Sequence, residues 1–465
     1  MDLRGAGRQP RTPLCRPAGG QHALPLGRRR PRPGGAAVQC PDAPGGDAPV
    51  GLYAAAARRR CLPRGRRARA LRRPRGVLHR RRRHHQRHPE PRAGAAILSR
   101  RADPRRSQRP SQLLRLQQGR AAAGRGGLAV ATVLVTGSAG FIGFHLAQRL
   151  LADGHAVVGY DGLTDYYDVR LKRARHAILA QSPNFRAVTG MLENADLLRR
   201  TVAGARPDIV VHLAAQAGVR YSIDAPQSYV STNLDGTFNL LEALRASPPR
   251  HLLVASTSSV YGAHPPTPFV ETDRTDYPLS IYAATKRGGE ALSHSYAALF
   301  GLPTTCLRFF TVYGPWGRPD MAALKFADAI AHGRPIEVYG HGRMSRDFTY
   351  VADVVEAVSR LLPRVPAGEP VHAHDTLSPA APWRVVNIAG GAPASLNAFI
   401  AAFEAALGQP ARRTLLPMQP GDVAATAADV SLLRALVGDV PATPIADGVA
   451  AVVDWYRRDW ARLQT

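Results

Sequence analysis

Lysine is nearly absent. Only three of the 62 Lys and Arg residues are lysines, Lys172, Lys286 and Lys325, so the chain uses arginine wherever either cation would serve. Cysteine is scarce too: Cys15, Cys40 and Cys61 fall in the first 61 residues and Cys306 stands alone in an apolar run, which excludes a disulfide framework and a cysteine metal site. His84, His85 and His88 carry no expectation of a metal beyond adventitious binding. No stretch approaches the ~20 apolar residues of a membrane span, and no apolar core segment near the N-terminus marks a secretory signal. A transit peptide would be Arg-rich and acid-poor, as here, but also Ser-rich, which this is not. A cytoplasmic protein without a membrane partner is expected.

Acidic residues are missing from one part only. Residues 1–127 hold 32 Lys+Arg against 5 Asp+Glu, whereas the remainder holds 30 against 29, so nearly all of the formal net charge of +28 sits in the first quarter of the chain. That quarter has 15 prolines, 17 glycines and one aromatic residue, Tyr53, and cannot bury enough apolar surface to offset the entropy of ordering it. A disordered basic extension over residues 1–128 is expected. Its run "HRRRRHHQRH" (79–88) has the charge to neutralise phosphates. The stronger reading is upstream GC-rich DNA translated from a start placed too early, with Val130 as a natural true start, so nucleic acid is not expected as a partner.

From residue 131 short apolar runs alternate with helical patterns: "TVLVTG" (132–137), a helix near 141–153, "AVVGYD" (156–161), "IVVHLAA" (209–215), a helix near 227–246, "HLLVAST" (251–257), a helix near 282–299 and "TTCLRFF" (304–310). Strands without polar alternation are buried on both faces, and their alternation with helices predicts an α/β fold with a doubly wound parallel sheet, whose ligands bind at the strands' carboxyl ends. Residues 131–310 are expected to form a dinucleotide-binding domain of the Rossmann type. Residues 311–465, with helices near 321–332, 352–362, 395–407 and 446–458, are expected to form mainly a smaller substrate-binding lobe, with 363–383 as a surface excursion.

"TGSAGFIG" places Gly137, Gly140, Phe141, Ile142 and Gly143 where the first strand meets the first helix. Glycines there permit the tight turn that lets a pyrophosphate meet the helix N-terminus. Asp161 closes the second strand 24 residues after Gly137, where an acid accepts the adenosine ribose hydroxyls; with no arginine following it, NAD is favoured over NADP.

"YAATK" puts Tyr282 and Lys286 on one helical face. A free phenol titrates near ~10, and a nearby ammonium together with an oxidised nicotinamide lowers that value, which makes the pair a proton acceptor for a sugar hydroxyl. Lysine at 286, in so lysine-poor a chain, indicates a need for a compact point charge. Thr257, 25 residues before Tyr282, is placed to share the hydrogen bond to the reacting oxygen; Ser256, Ser258 and Ser259 add hydroxyls that either meet substrate or cap the strand-end turn. In "FFTVYGPWGRPDM" (309–321), Arg318 lies in a loop of aromatics, prolines and glycines. A guanidinium there is costly unless it meets an anion.

In this order the motifs resemble the extended short-chain dehydrogenase/reductase family, and within it the UDP-glucuronate 4-epimerases. The likeness runs from about 131 to 460 and rests also on "HLAAQAGVRYS" (212–222), "STNLDGTFNLLEA" (231–243), "SRDFTYVADVVEA" (345–357) and "MQPGDV" (418–423). The resemblance implies bound NAD, a UDP-sugar substrate, a homodimer, and inversion at carbon 4 of a uronic acid through a 4-keto intermediate. Tyr282, Lys286 and Thr257 would be catalytic, and Ser258 and Ser259 would face substrate. Arg346 would hold the nucleotide diphosphate, with Arg220 a second anion contact. Thr311 and Arg318 would restrain the substrate carboxylate; alternatively Arg318 pairs with Asp320 or the phosphates. Asn233 would support the site or simply be a satisfied core amide. Two positions depart from the pattern: Gly162, where asparagine often follows the acid, and Ser345, where a basic residue is common.

A dehydratase would share fold and cofactor but typically carries an Asp-Glu pair after the threonine, where this chain has Ser258 and Ser259. A UDP-glucuronate decarboxylase shares the 4-keto intermediate. A protein of another class, retaining NAD and binding nucleic acid through the tail, would not need Tyr282, Lys286 and Thr257.

Overall fold

The computed structural model describes residues 129–263, 267–419 and 421–464; the expectations for the basic extension lie outside them. Seven parallel strands form one sheet: β1 (Thr132–Thr136), β2 (Ala156–Asp161), β3 (Phe185–Thr189), β4 (Ile209–His212), β5 (His251–Thr257), β6 (Thr304–Phe309) and β7 (Trp383–Ile388). Their order is β7-β6-β5-β4-β1-β2-β3, so the direction of winding reverses between β1 and β4. A crevice opens at the carboxyl ends there, the place a doubly wound sheet offers a ligand.

Alternation along β1 shows how both faces are filled. Val133 and Val135 enter a core built with helices α1 (Phe141–Ala152), α7 (Val351–Leu361) and α9 (Ser431–Val437). Leu134 points the other way, into a core shared with α3 (Ala195–Ala205) and α4 (Gly236–Ala246). Helix α2 (Val169–Leu179) follows β2, and α5 (Ile281–Phe300) follows β5. A separate core holds the second lobe together. In it α6 (Ala322–Ala331) and α8 (Leu396–Leu407) pack Phe326 and Phe403 around Phe399, which stacks on Phe348 at 4.1 Å, and α10 (Ile445–Trp455) adds Trp455 to the same core.

Three features differ from the sequence reading. β3, α2 and α3 have no counterpart in the sequence reading; β3 is an edge strand with no fully buried residue and lacks an apolar run. The excursion after residue 362 brings the chain back to the sheet edge as β7, so α7, α9 and β7 complete the first domain from beyond residue 310. The helix expected near 227–246 is interrupted by a π-helical turn at Ser231–Asp235, a distortion often found at functional sites. No helix among the described residues is long and apolar enough to cross a membrane.

Candidate active site

The glycine turn is built for close approach. Gly137 has φ +76°, and a Cβ there would lie 2.7 Å from the Ala214 nitrogen; a Cβ on Gly143 would lie 2.1 Å from the Gly137 carbonyl. Gly140 caps α1 without any side-chain hydrogen bond, leaving the first-turn N–H groups to an anion. Asp161 is buried beside the turn, accepting from the Ala139 N–H at 3.0 Å and the Leu163 N–H at 2.8 Å. Each carboxylate oxygen keeps a lone-pair direction for a ribose hydroxyl. These residues fit a dinucleotide. A Cβ on Gly162 would meet the end of the flexible Met191 side chain, 40% exposed and free to turn aside, so packing does not demand glycine there.

Across the crevice, Thr257 ends β5 and accepts from the Ser259 N–H at 3.2 Å, fixing the turn that presents Ser258 and Ser259. Helix α5 starts at the Ser280 cap, which accepts from the Ala283 N–H, so Tyr282 projects from its first turn and Lys286 lies one turn further on. Burial raises the Tyr282 pKa above its ordinary value, while the Thr257 hydroxyl and the Arg318 charge pull it down without prevailing. Lys286 is buried and donates to the Ala255 carbonyl at 2.9 Å; burial lowers its pKa to about 8 against the opposing pull of Cys306 and Glu290. Lys286 thus ties α5 to the end of β5, one helical turn beyond the phenol.

Asn233, on the π turn, donates to the Gln216 carbonyl and to Thr285 Oγ1, both at 3.0 Å, and accepts from the Gln216 N–H at 2.8 Å. Its amide is a satisfied tie between the loop after β4 and α5.

Ser258, Ser259, Thr311 and Arg346 line one cavity of about 120 Å³ with Val219 and Asp422. Arg346 spends one nitrogen on the Ser345 and Ala424 carbonyls, and burial lowers its pKa. Arg220 stands at the rim, half exposed, 3.6 Å from Asp422 and stacked over the Tyr339 ring. Arg318 is behind the Gly218–Val219 wall. Its Nε and Nη2 grip Asp320 at 3.0 and 2.5 Å and Nη2 also donates to the Ala217 carbonyl, while Tyr166 donates to the same carboxylate. Of the two readings left open for this arginine, the Asp320 pair is present. It uses the Nε and Nη2 edge of the guanidinium.

Beneath the site lies a network that sequence reasoning missed. Glu290, one turn after Lys286, forms a two-point ion pair with Arg308 and accepts from Ser256 at 2.6 Å. The backbone carbonyl of Glu271 accepts from Arg308, while its carboxyl keeps one oxygen, Oε2, without a hydrogen-bond partner. Burial raises the Glu271 pKa from an ordinary 4.5 to about 7. A carboxyl that holds its proton more tightly when folded loses stability as pH rises from 4.5 through 7. Glu271→Gln should therefore match the parent at pH 4.5 and exceed it above pH 7 by up to about 3 kcal/mol in urea unfolding.

Comparison with known proteins agrees with this geometry. Residues 133–374 match the model of the NAD dependent epimerase/dehydratase family. The chain is 55% identical over 336 residues, 71% of its length and 98% of the relative's, to a probable UDP-glucuronate 4-epimerase of Rhizobium meliloti. It superposes with a TM-score of 0.63 on a UDP-glucuronic acid 4-epimerase from Bacillus cereus in complex with UDP-glucuronic acid and NAD, at 34% identity over 70% of this chain and 99% of that one. A dTDP-glucose 4,6-dehydratase from Streptomyces venezuelae, with NAD bound, also reaches 0.63, at 27% identity over 71% and 98%. Overall shape thus leaves the choice of reaction to the residues in the crevice.

Proposed function

The chain belongs to the NAD dependent epimerase/dehydratase family, and from that premise we propose that it interconverts UDP-glucuronate and UDP-galacturonate by inverting carbon 4. When bound, NAD supplies a hydride acceptor that later returns the hydride. Tyr282 removes the proton from the hydroxyl on carbon 4 and gives it back, with Thr257 sharing the hydrogen bond that orients the same oxygen. Lys286, freed from Ala255, contributes positive charge to the cofactor side. Arg346 and Arg220 meet the diphosphate, and Ser258 and Ser259 meet the sugar.

The observation that carries the reading is the buried arginine beside the crevice, whose charge reaches Tyr282. Oxidation at carbon 4 makes a β-keto acid, which loses carbon dioxide when its carboxylate aligns with the carbonyl. Arg318 carries a charge that reaches Tyr282, and with the Thr311 hydroxyl it holds the carboxylate out of that alignment. Ser258 and Ser259, in place of an acid and a base, favour epimerisation over dehydration. The test is to incubate the protein with UDP-glucuronate and identify the products. UDP-galacturonate supports the reading, and UDP-xylose with carbon dioxide as the main products overturns it.

A homodimer and a cytoplasmic location complete the reading. Phe238 on α4 and Leu299 and Phe300 on α5 are 46%, 73% and 45% exposed, which supplies apolar surface for a second copy. Light scattering should give twice the chain mass.

A further inference from the structure

Arg175 on α2 is entirely buried, and no carboxylate among the described residues forms an ion pair with it. Burial lowers the pKa of Arg175, and Asp161 is an acid whose charge reaches the guanidinium. Its partners are three carbonyls and a phenol. Nη1 donates to the Ala139 carbonyl in the glycine turn at 2.8 Å and to the Tyr167 hydroxyl at 2.9 Å; Nη2 donates to the carbonyls of Trp316 at 2.5 Å and Gly317 at 3.3 Å. Nε has no partner. Burying a guanidinium this way is costly. One planar fork thus joins the cofactor turn to the loop that carries Arg318.

The same loop is fastened from α1. His145 Nε2 donates to the Pro315 carbonyl at 2.9 Å, and with burial pushing its pKa down to about 4 it stays neutral near pH 7. The Trp316 ring packs between Phe144 and Trp455, each at 5.5 Å. Trp316 has φ +57°, an uncommon conformation for a bulky residue, held by this surrounding packing. Three successive carbonyls, 315 to 317, are therefore held by side chains of the two helices that flank the glycine turn.

We propose that Arg175 is a positioning residue through which the occupied cofactor site holds the Arg318 loop in its carboxylate-gripping place; the clause about the carboxylate rests on the function proposed above. An anionic dinucleotide on the turn offsets the cost of the buried guanidinium, so cofactor binding and loop position stabilise each other.

The test uses the full chain and its Arg175→Met variant, each with and without added NAD. Hydrogen exchange of the amides of residues 316–318, 320 and 321 should slow about tenfold with NAD in the parent, and the effect should vanish in the variant while residues 137–143 remain protected. With UDP-glucuronate, the variant should lose about 100-fold in kcat with a smaller change in KM. The fraction of turnovers that break the bond to the carboxyl carbon should rise, yielding carbon dioxide and a 4-keto pentose with the hydride left on the cofactor. If Arg175→Met does not fold, Arg175→Lys carries the same readouts and should also lose the coupling, because one ammonium cannot span both sets of carbonyls. Equal NAD protection of 316–321 in parent and variant, or none in the parent, overturns the proposal. Coupling lost in the variant while the parent leaves UDP-glucuronate unchanged overturns the substrate assignment and leaves the brace standing.

Discussion

Tyr282→Phe should reduce conversion of UDP-glucuronate to UDP-galacturonate by about 10³–10⁴-fold. The substitution removes one oxygen and leaves the ring, its edge contact with Tyr229 at 6.0 Å, and the α5 backbone in place. NAD should remain bound, because the glycine turn and Asp161 are untouched. The phenol belongs to the first turn of a capped helix and shares its hydrogen-bonding space with Thr257, whereas the neighbouring Tyr229 hydroxyl is committed to the Gly218 carbonyl at 2.6 Å. Steady-state rates with retained NAD check the assignment, and a variant within tenfold of the parent would remove Tyr282 from the role of base.

Arg318→Met should change what the enzyme makes as well as how fast. The arginine is held at its Nε edge by Asp320, whose carboxyl burial pushes up but whose hydrogen bonds and ion pair with Arg318 hold below its usual range. Loss of the guanidinium removes the group that restrains the β-keto acid and leaves Asp320 as a nearby negative charge that repels the substrate's own carboxylate. Both effects act against epimerisation. A fall of about 10²–10³-fold in kcat/KM for the uronate is expected, with carbon dioxide appearing in a larger share of the remaining turnovers. Arg318→Lys should recover part of the affinity but not the product ratio, since a point charge cannot reproduce the fork. An unchanged product ratio in both variants would assign Arg318 to the loop alone.

Much of this site was legible in the sequence because its parts are local. A glycine turn between an apolar strand and a helix, an acid ending the next strand, and a tyrosine and lysine one helical turn apart are each specified by neighbouring residues, and the structure sets them around one crevice. β7 was not legible: its six residues pair with β6 only after an excursion of more than 20 residues, and nothing in "WRVVNI" names its partner. Arg175 was missed for a related reason. In "VRLKRARHAIL" it looks like one more arginine on a polar helix, and only the fold shows that it is buried between two loops whose carbonyls, at Ala139 and Trp316, lie 36 and 141 residues from it in the chain. Arg318 fell between these cases, since its surroundings called for an anion but Asp320, two residues on, was as eligible as a substrate carboxylate.

The central claim is that carbon 4 is oxidised and reduced within one active site. UDP-glucuronate carrying deuterium at carbon 4, turned over in ordinary water, tests it most directly. The account predicts UDP-galacturonate with the deuterium retained at the inverted centre. Inverted product that has exchanged its deuterium for solvent hydrogen would contradict it.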